Sequence, residues 1–232
     1  MSAPFPKWSN TVMRLALGAL AVGVVGGLTI LLTYTRSPFF TGQFSSVQQP
    51  IQFDHRHHVA DNKMDCRYCH SSVETSSSAG YPATALCLNC HAQVWNKAPL
   101  LDPLRAAFFG EGTPATQLTG GAPPVRPIVW KRVHRVADYV YFNHSAHVNK
   151  GVGCVECHGR VDRMAEVTQL APLSMGWCLD CHRDPAPHLR PKEFITSTEW
   201  DPPSSVDRVK LGQELAARYD VHPRQNCTTC HR

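Results

Sequence analysis

Hydrophobic and polar positions divide the chain into two unlike parts. Leu15 to Tyr34 form an uncharged, mainly apolar run of about 20 residues, the length a bilayer-spanning helix requires. Lys7 and Arg14 precede this run and Arg36 follows it. A cleaved export signal has a shorter apolar region, roughly 7–15 residues, and ends in a small-residue cleavage site. No clear A-x-A site follows here. The pattern predicts an uncleaved signal anchor at 15–35, an N-terminus at 1–14 and a linker at 36–50. The basic flank holds the N-terminus in the cytoplasm. Ala19, Gly23 and Gly27 recur every four residues on one face, a small-residue stripe through which the anchor can pack on a partner's helix.

Beyond residue 50 the pattern is short-range and repeats itself. QFDHRHHV followed by CRYCH and CLNCH resembles YFNHSAHV followed by CVECH and CLDCH. Each unit reads Phe-x-His-x-x-His and then two Cys-x-x-Cys-His segments. The units span about 51–100 and 140–185, and a C-terminal segment at about 195–232 carries a fifth such motif. A Pro/Gly-rich stretch near 110–127 separates the units and reads as a surface loop. In SSVDRVKLGQELAARYD, the positions Val206, Leu211, Leu215 and Tyr219 predict one face of a helix capped by Ser204 or Ser205.

Composition sharpens the picture. Of 232 residues, 43% are hydrophobic and 18% charged, which excludes a disordered or collagen-like chain. The formal charge of +5 is mild, and no pattern resembles a nucleic-acid module. Ten Cys and thirteen His are the informative counts. Every cysteine belongs to a Cys-x-x-Cys pair, and His follows every pair: Cys66, Cys69, His70; Cys87, Cys90, His91; Cys154, Cys157, His158; Cys178, Cys181, His182; and Cys227, Cys230, His231. This is the attachment motif of haem c. Two thiols add to the two vinyl groups of one haem, and the adjacent imidazole lies under the iron as proximal ligand. A disulfide framework does not require His after each pair. Five pairs do not divide into four-cysteine zinc sites. At this His frequency, five chance hits carry a probability of about 5 × 10⁻⁷. The reading is five covalently attached haems.

Five haems in about 182 residues leave too little chain for an apolar core around each macrocycle. The expected fold is therefore mostly α and irregular, a multihaem cytochrome c whose stacked haems are the core, with one N-terminal transmembrane helix. Trp95, Trp130, Trp177 and Trp200 read as packing against flat macrocycles. About ten propionates make the loaded protein less cationic than its sequence. Haem c is assembled outside the cytoplasmic membrane, so residues from about 37 onward are expected on the periplasmic side.

Eight His lie outside the attachment motifs. His55, His58, His144 and His147, from the two Phe-x-His-x-x-His segments, are candidate distal ligands, and His134 is a candidate fifth. His57 adjoins His58 and points elsewhere; His188 and His222 lie in Pro-containing loops and read as solvent-facing. Met164 is a further candidate distal ligand, and Met175 a weaker one. Thioether ligation would raise a haem's potential above that of its neighbours.

The Phe-x-His-x-x-His arrangement resembles that of small cytochromes of the c3 and c7 kind. That resemblance implies that the first His ligates the haem just downstream, pairing His55 with motif one and His144 with motif three, while His58 and His147 serve other haems. The chain as a whole resembles the pentahaem cytochrome c subunit of alternative complex III. The likeness is carried by QPIQFDHRHHV, CRYCHSSVETSSSAGYP, WKRVHRVADYVYFNHSAHV, GVGCVECHGRVDRMAEVTQLAPLSMGWCLDCHR and NCTTCHR. The insertion near 108–127 carries none of it. The resemblance implies partners: an iron–sulfur subunit related to molybdopterin oxidoreductases, polytopic quinol-binding membrane subunits and often a monohaem cytochrome c. Menaquinol would be oxidised elsewhere in that complex, and electrons would reach a soluble periplasmic carrier or a terminal oxidase.

These observations predict an electron-transfer subunit with no catalysis of its own. A multihaem reductase would need an open distal position beside general acids or bases, whereas candidate ligands here outnumber the haems. A single-helix quinol dehydrogenase feeding a periplasmic reductase is the alternative, although its characteristic segments are not evident.

Overall fold

A computed structural model describes residues 5–110 and 126–231. Most of the Pro/Gly-rich stretch expected as a surface loop therefore lies outside the described residues. The chain forms two compact units, 1–43 and 44–232.

In the first unit, helix α1 spans Ser9–Arg36. It is long and apolar enough to cross a membrane, with a mean hydropathy of 2.4, and none of its described residues is buried. The helix starts six residues before the apolar run because nothing after Pro6 breaks it. Thr29, Thr33 and Thr35 turn their hydroxyls back onto the helix, donating to the carbonyls of Val25, Thr29 and Leu31. Their polarity is thereby satisfied inside an apolar segment. Ser37 then caps the short helix α2, Pro38–Thr41, inside the stretch expected to be a plain linker.

The second unit is built from short helices and loops. Among its described residues, β-structure is confined to single antiparallel bridges, Ser46 with Thr168, Val140 with His231 and Val152 with Leu189. Each attachment motif is helical: α3 (Cys66–Cys69), α4 (Thr84–His91), α7 (Cys154–His158), α8 (Met175–Arg183) and α10 (Cys227–Cys230). Helix α5 (Asp102–Phe109) and helix α6 (His144–Val148) lie between them. Asp65 caps α3 by accepting from the Arg67 amide, and Ser174 and Asn143 cap α8 and α6 in the same way.

Helix α9 spans Arg208–Arg218. Its cap is Asp207, which accepts from the amides of Val209 and Lys210, not Ser204 or Ser205. Asp207 stands immediately before the first helical turn, where its carboxylate also suits the positive helix end. Gly212 of α9 sits against the Ala186 backbone, where a Cβ would clash. That contact seats α9 on the turn Ala186–His188.

The protein-only core is small. Ile51, Leu88, Leu101 and Leu104 form one buried cluster, and Val73, Val148 and Ile195 form another. Among the described residues these clusters are small for a unit of this length.

Candidate haem centres

Helical geometry explains the spacing of the attachment residues. Positions i, i+3 and i+4 share one helix face, so each short helix offers two thiols and one imidazole to the same flat group. The imidazoles are prepared for a metal. His70 Nδ1 donates to the Gly80 carbonyl at 2.8 Å, His91 to Val94 at 3.0 Å, and His182 to Arg224 at 2.8 Å. His231 reaches the Tyr139 carbonyl at 3.4 Å. A carbonyl only accepts, so the proton sits on Nδ1 and the Nε2 lone pair is left for a metal ion.

Three of the predicted distal ligands carry the same device. His58 Nδ1 donates to the Asp54 carbonyl at 2.9 Å, His147 to Asn143 at 2.7 Å, and His144 to Ser77 at 2.8 Å. His57, His188 and His222 instead meet the carboxylates of Asp61, Glu156 and Asp220.

The internal repeat is reproduced in space. Phe53 stacks on His58 at 4.3 Å and 25° and meets His55 edge-on at 4.8 Å. Phe142 stacks on His147 at 4.6 Å and 25° and meets His144 edge-on at 4.8 Å. In both units one phenyl ring fixes the two imidazoles. The backbone beneath differs, a π-helical turn over Arg56–Asp61 against the α-helical α6.

Each of three candidate ligands meets one motif histidine. Ring centroids are 6.1 Å apart for His58 and His91, 6.4 Å for His144 and His158, and 6.1 Å for His147 and His182. With metal–imidazole bonds of about 2 Å, one metal ion between two Nε2 atoms separates ring centroids by about 6 Å. His55 lies beside His70. Burial first, and then His70, holds His55 down to about 4, and its Nδ1 is buried without a partner. Burial, followed by His134, pushes His158 down to about 3. Both imidazoles are therefore neutral at physiological pH, as a metal ligand must be.

His134 is also buried, with its pKa lowered to about 4 by burial and then by His144. Its ring lies 4.2 Å from that of His158, too close for one ion between the two. Met164 places its sulfur 4.0 Å from the Thr168 hydroxyl and its methyl beside Gly159. Met175 is exposed. A cavity of about 500 Å³ opens beside the start of α4, lined in part by Tyr81, Thr84, Ile128 and Trp130.

Residues 140–232 match the family model for cytochrome c7 and related cytochrome c. Over these residues the chain is similar to cytochrome c7. A cytochrome of this kind holds its haem covalently, and the fit is visible in the paired thiols, the Nδ1-anchored imidazoles and the sparse side-chain core. The chain is also 35% identical over 132 residues to the multihaem cytochrome c subunit of menaquinone reductase from Nitratidesulfovibrio vulgaris (strain Hildenborough). That alignment covers 57% of this chain and 56% of the relative, so the chain spans little more than half of the relative's length. The three motifs within residues 140–232, like the two outside them, obey the same helical rule.

Sequence reasoning did not find the carbonyl acceptors Gly80, Val94, Arg224, Tyr139 and Ser77. They act through the backbone, so no residue type marks them. It also passed over Glu156, inside motif three, which accepts from Arg190 at 2.9 Å and Arg208 at 3.4 Å.

Proposed function

We propose that this chain is a membrane-anchored pentahaem electron relay between a quinone-linked membrane complex and a periplasmic partner. The observation that carries the reading is the set of three His–His separations of 6.1–6.4 Å, each between a motif histidine and a repeat histidine. Four haems are then closed by His70 with His55, His91 with His58, His158 with His144, and His182 with His147. The first of these pairs follows from the repeat. The two remaining candidates, His134 and Met164, both stand beside motif three, so the distal ligand for His231 is left unassigned. Bound haem iron supplies reversible one-electron exchange. The chain supplies closed coordination, close spacing and control of potential through ligand type and exposure.

In this reading α1 crosses the cytoplasmic membrane with Lys7 and Arg14 inside and the haem unit in the periplasm. The likeness to alternative complex III supports quinol-oxidising partners: an iron–sulfur subunit, polytopic membrane subunits and a soluble acceptor. The relative's name, a menaquinone reductase subunit, favours a second reading in which electrons run toward the quinone. A relay conducts either way, and its partners set the direction.

The test is to add menaquinol to the native membrane assembly and, separately, to the isolated haem-loaded chain, following the c-haem α-band. Reduction in the assembly alone supports the relay. Rapid, inhibitor-sensitive reduction of the isolated chain would make it the quinol dehydrogenase. Oxidation of the pre-reduced assembly by menaquinone, without the reverse reaction, would select the second direction.

A further inference from the structure

The five motifs are not arranged in chain order. Motif two meets motif one, where Asn89 donates to the Tyr68 hydroxyl at 3.3 Å. Burial and then the nearby Cys69 thiol push Cys87 up. Motif one meets motif three, since the Cys66 thiol approaches the Thr196 carbonyl at 3.8 Å and the Cys154 amide donates to the adjacent Ile195 carbonyl at 3.1 Å. The Cys66 and Cys154 thiols are also neighbours. Motif three meets motif four through α6, whose His144 and His147 face His158 and His182. Motif four meets motif five, because the Arg224 carbonyl accepts from His182 and Gln225 donates to the His182 carbonyl.

These contacts link the motifs in a row: two, one, three, four, five. Exposure marks the same two ends independently. Of the ten thiol-bearing residues, Cys90 of motif two and Cys227 of motif five are exposed, and the other eight are partly covered. Large exposed apolar side chains stand beside each end. Trp95, 60% exposed, follows the Val94 carbonyl that holds His91, and its φ of 55° is unfavourable for a bulky residue. Tyr139, 66% exposed, supplies the carbonyl that His231 reaches.

We infer that the attachment motifs form one unbranched row in the order two–one–three–four–five, with motifs two and five at its ends, where electrons enter and leave. The inference rests on the relay reading for its electrons but on contacts of this chain for its order. Each passage removes one electron from a reduced donor centre at one end and delivers one to an oxidised acceptor centre at the other.

The order is tested on the full haem-loaded chain in detergent, after mass measurement has established five haem additions. Nuclear Overhauser contacts between haem substituents in the fully reduced protein report neighbours without any quinol. Contacts are expected for motif pairs two/one, one/three, three/four and four/five. A contact of haem five with haem one or two, or of haem two with haem three, overturns the order. A neutral gadolinium chelate in solution should broaden haems two and five most, and stronger broadening of haem one, three or four overturns the ends. Failure of the relay reading would appear only in the quinol assay.

Discussion

Arg190 is the most deeply buried charge among the described residues, at 2% exposure, and its removal offers a sharp test of how motif three is held. Its guanidinium donates to Glu156 Oε1 at 2.9 Å and to the Ser197 carbonyl at 3.0 Å, and it lies over the Trp200 ring at 5.3 Å. Glu156 is itself largely buried, with 18% of its side chain exposed. Breaking a buried pair by removing one partner costs about 3–5 kcal/mol, because the other charge is stranded. Arg208 and His188 still reach Glu156, at 3.4 and 3.1 Å, which places Arg190→Met at the low end, about 3 kcal/mol. In a chain of this size that corresponds to a fall of about 6–12 °C in Tm. The assay is thermal unfolding of the haem-loaded chain followed by Soret dichroism, with Glu156→Gln and the double variant alongside. Glu156→Gln alone should also lower Tm, and the double variant should lose less than the two single losses added together. A Tm within about 2 °C of wild type for Arg190→Met, or strict additivity in the double variant, would refute the reasoning.

Three further outcomes are expected. Produced without haem attachment, the unit from residue 44 onward should lack near-ultraviolet dichroism, since two small side-chain clusters cannot replace a haem-filled interior; native near-ultraviolet dichroism in the haem-free chain would contradict this. His144→Ala should open one haem to carbon monoxide and give a high-spin signal, whereas His57→Ala, whose ring faces Asp61, should leave the spectrum unchanged. The hydrogen bond from Arg67 holds Asp65 down to about 2 from 3.8. Its stabilisation is therefore complete above about pH 4 and is lost as pH falls toward 2, worth about 1 kcal/mol after solvent screening. Tm measured against pH should show that acid loss in wild type and not in Asp65→Asn.

Covalent chemistry and simple periodicity were legible from the residues. Two thiols and an imidazole must occupy one helix face to hold one haem, so CRYCH, CLNCH, CVECH, CLDCH and CTTCH point to haem attachment before any fold is known. The long apolar helix was equally plain, because its run of uncharged residues is unbroken, although local propensity carried α1 back to Ser9. The repeated Phe-x-His-x-x-His segment singled out four histidines, and the Phe53 and Phe142 stacks give its phenylalanine a physical purpose. The helix before motif five was legible too, but Ser204, Ser205 and Asp207 are all sound caps, and only the chain path into α9 selected Asp207.

The tertiary structure decided whatever depends on contacts between distant segments. It brought His58 to His91 and His147 to His182, each pair spanning more than thirty residues. It chose backbone carbonyls to fix the Nδ1 protons, and a carbonyl is common to every residue type. It also brought distant motifs against one another, setting Cys66 and Cys154 on the adjacent carbonyls of Thr196 and Ile195, and His182 on that of Arg224. A sequence records which groups can bind a metal because that is a property of single side chains. Which two imidazoles face one another is a property of how loops close, and that is settled only when the interior is filled.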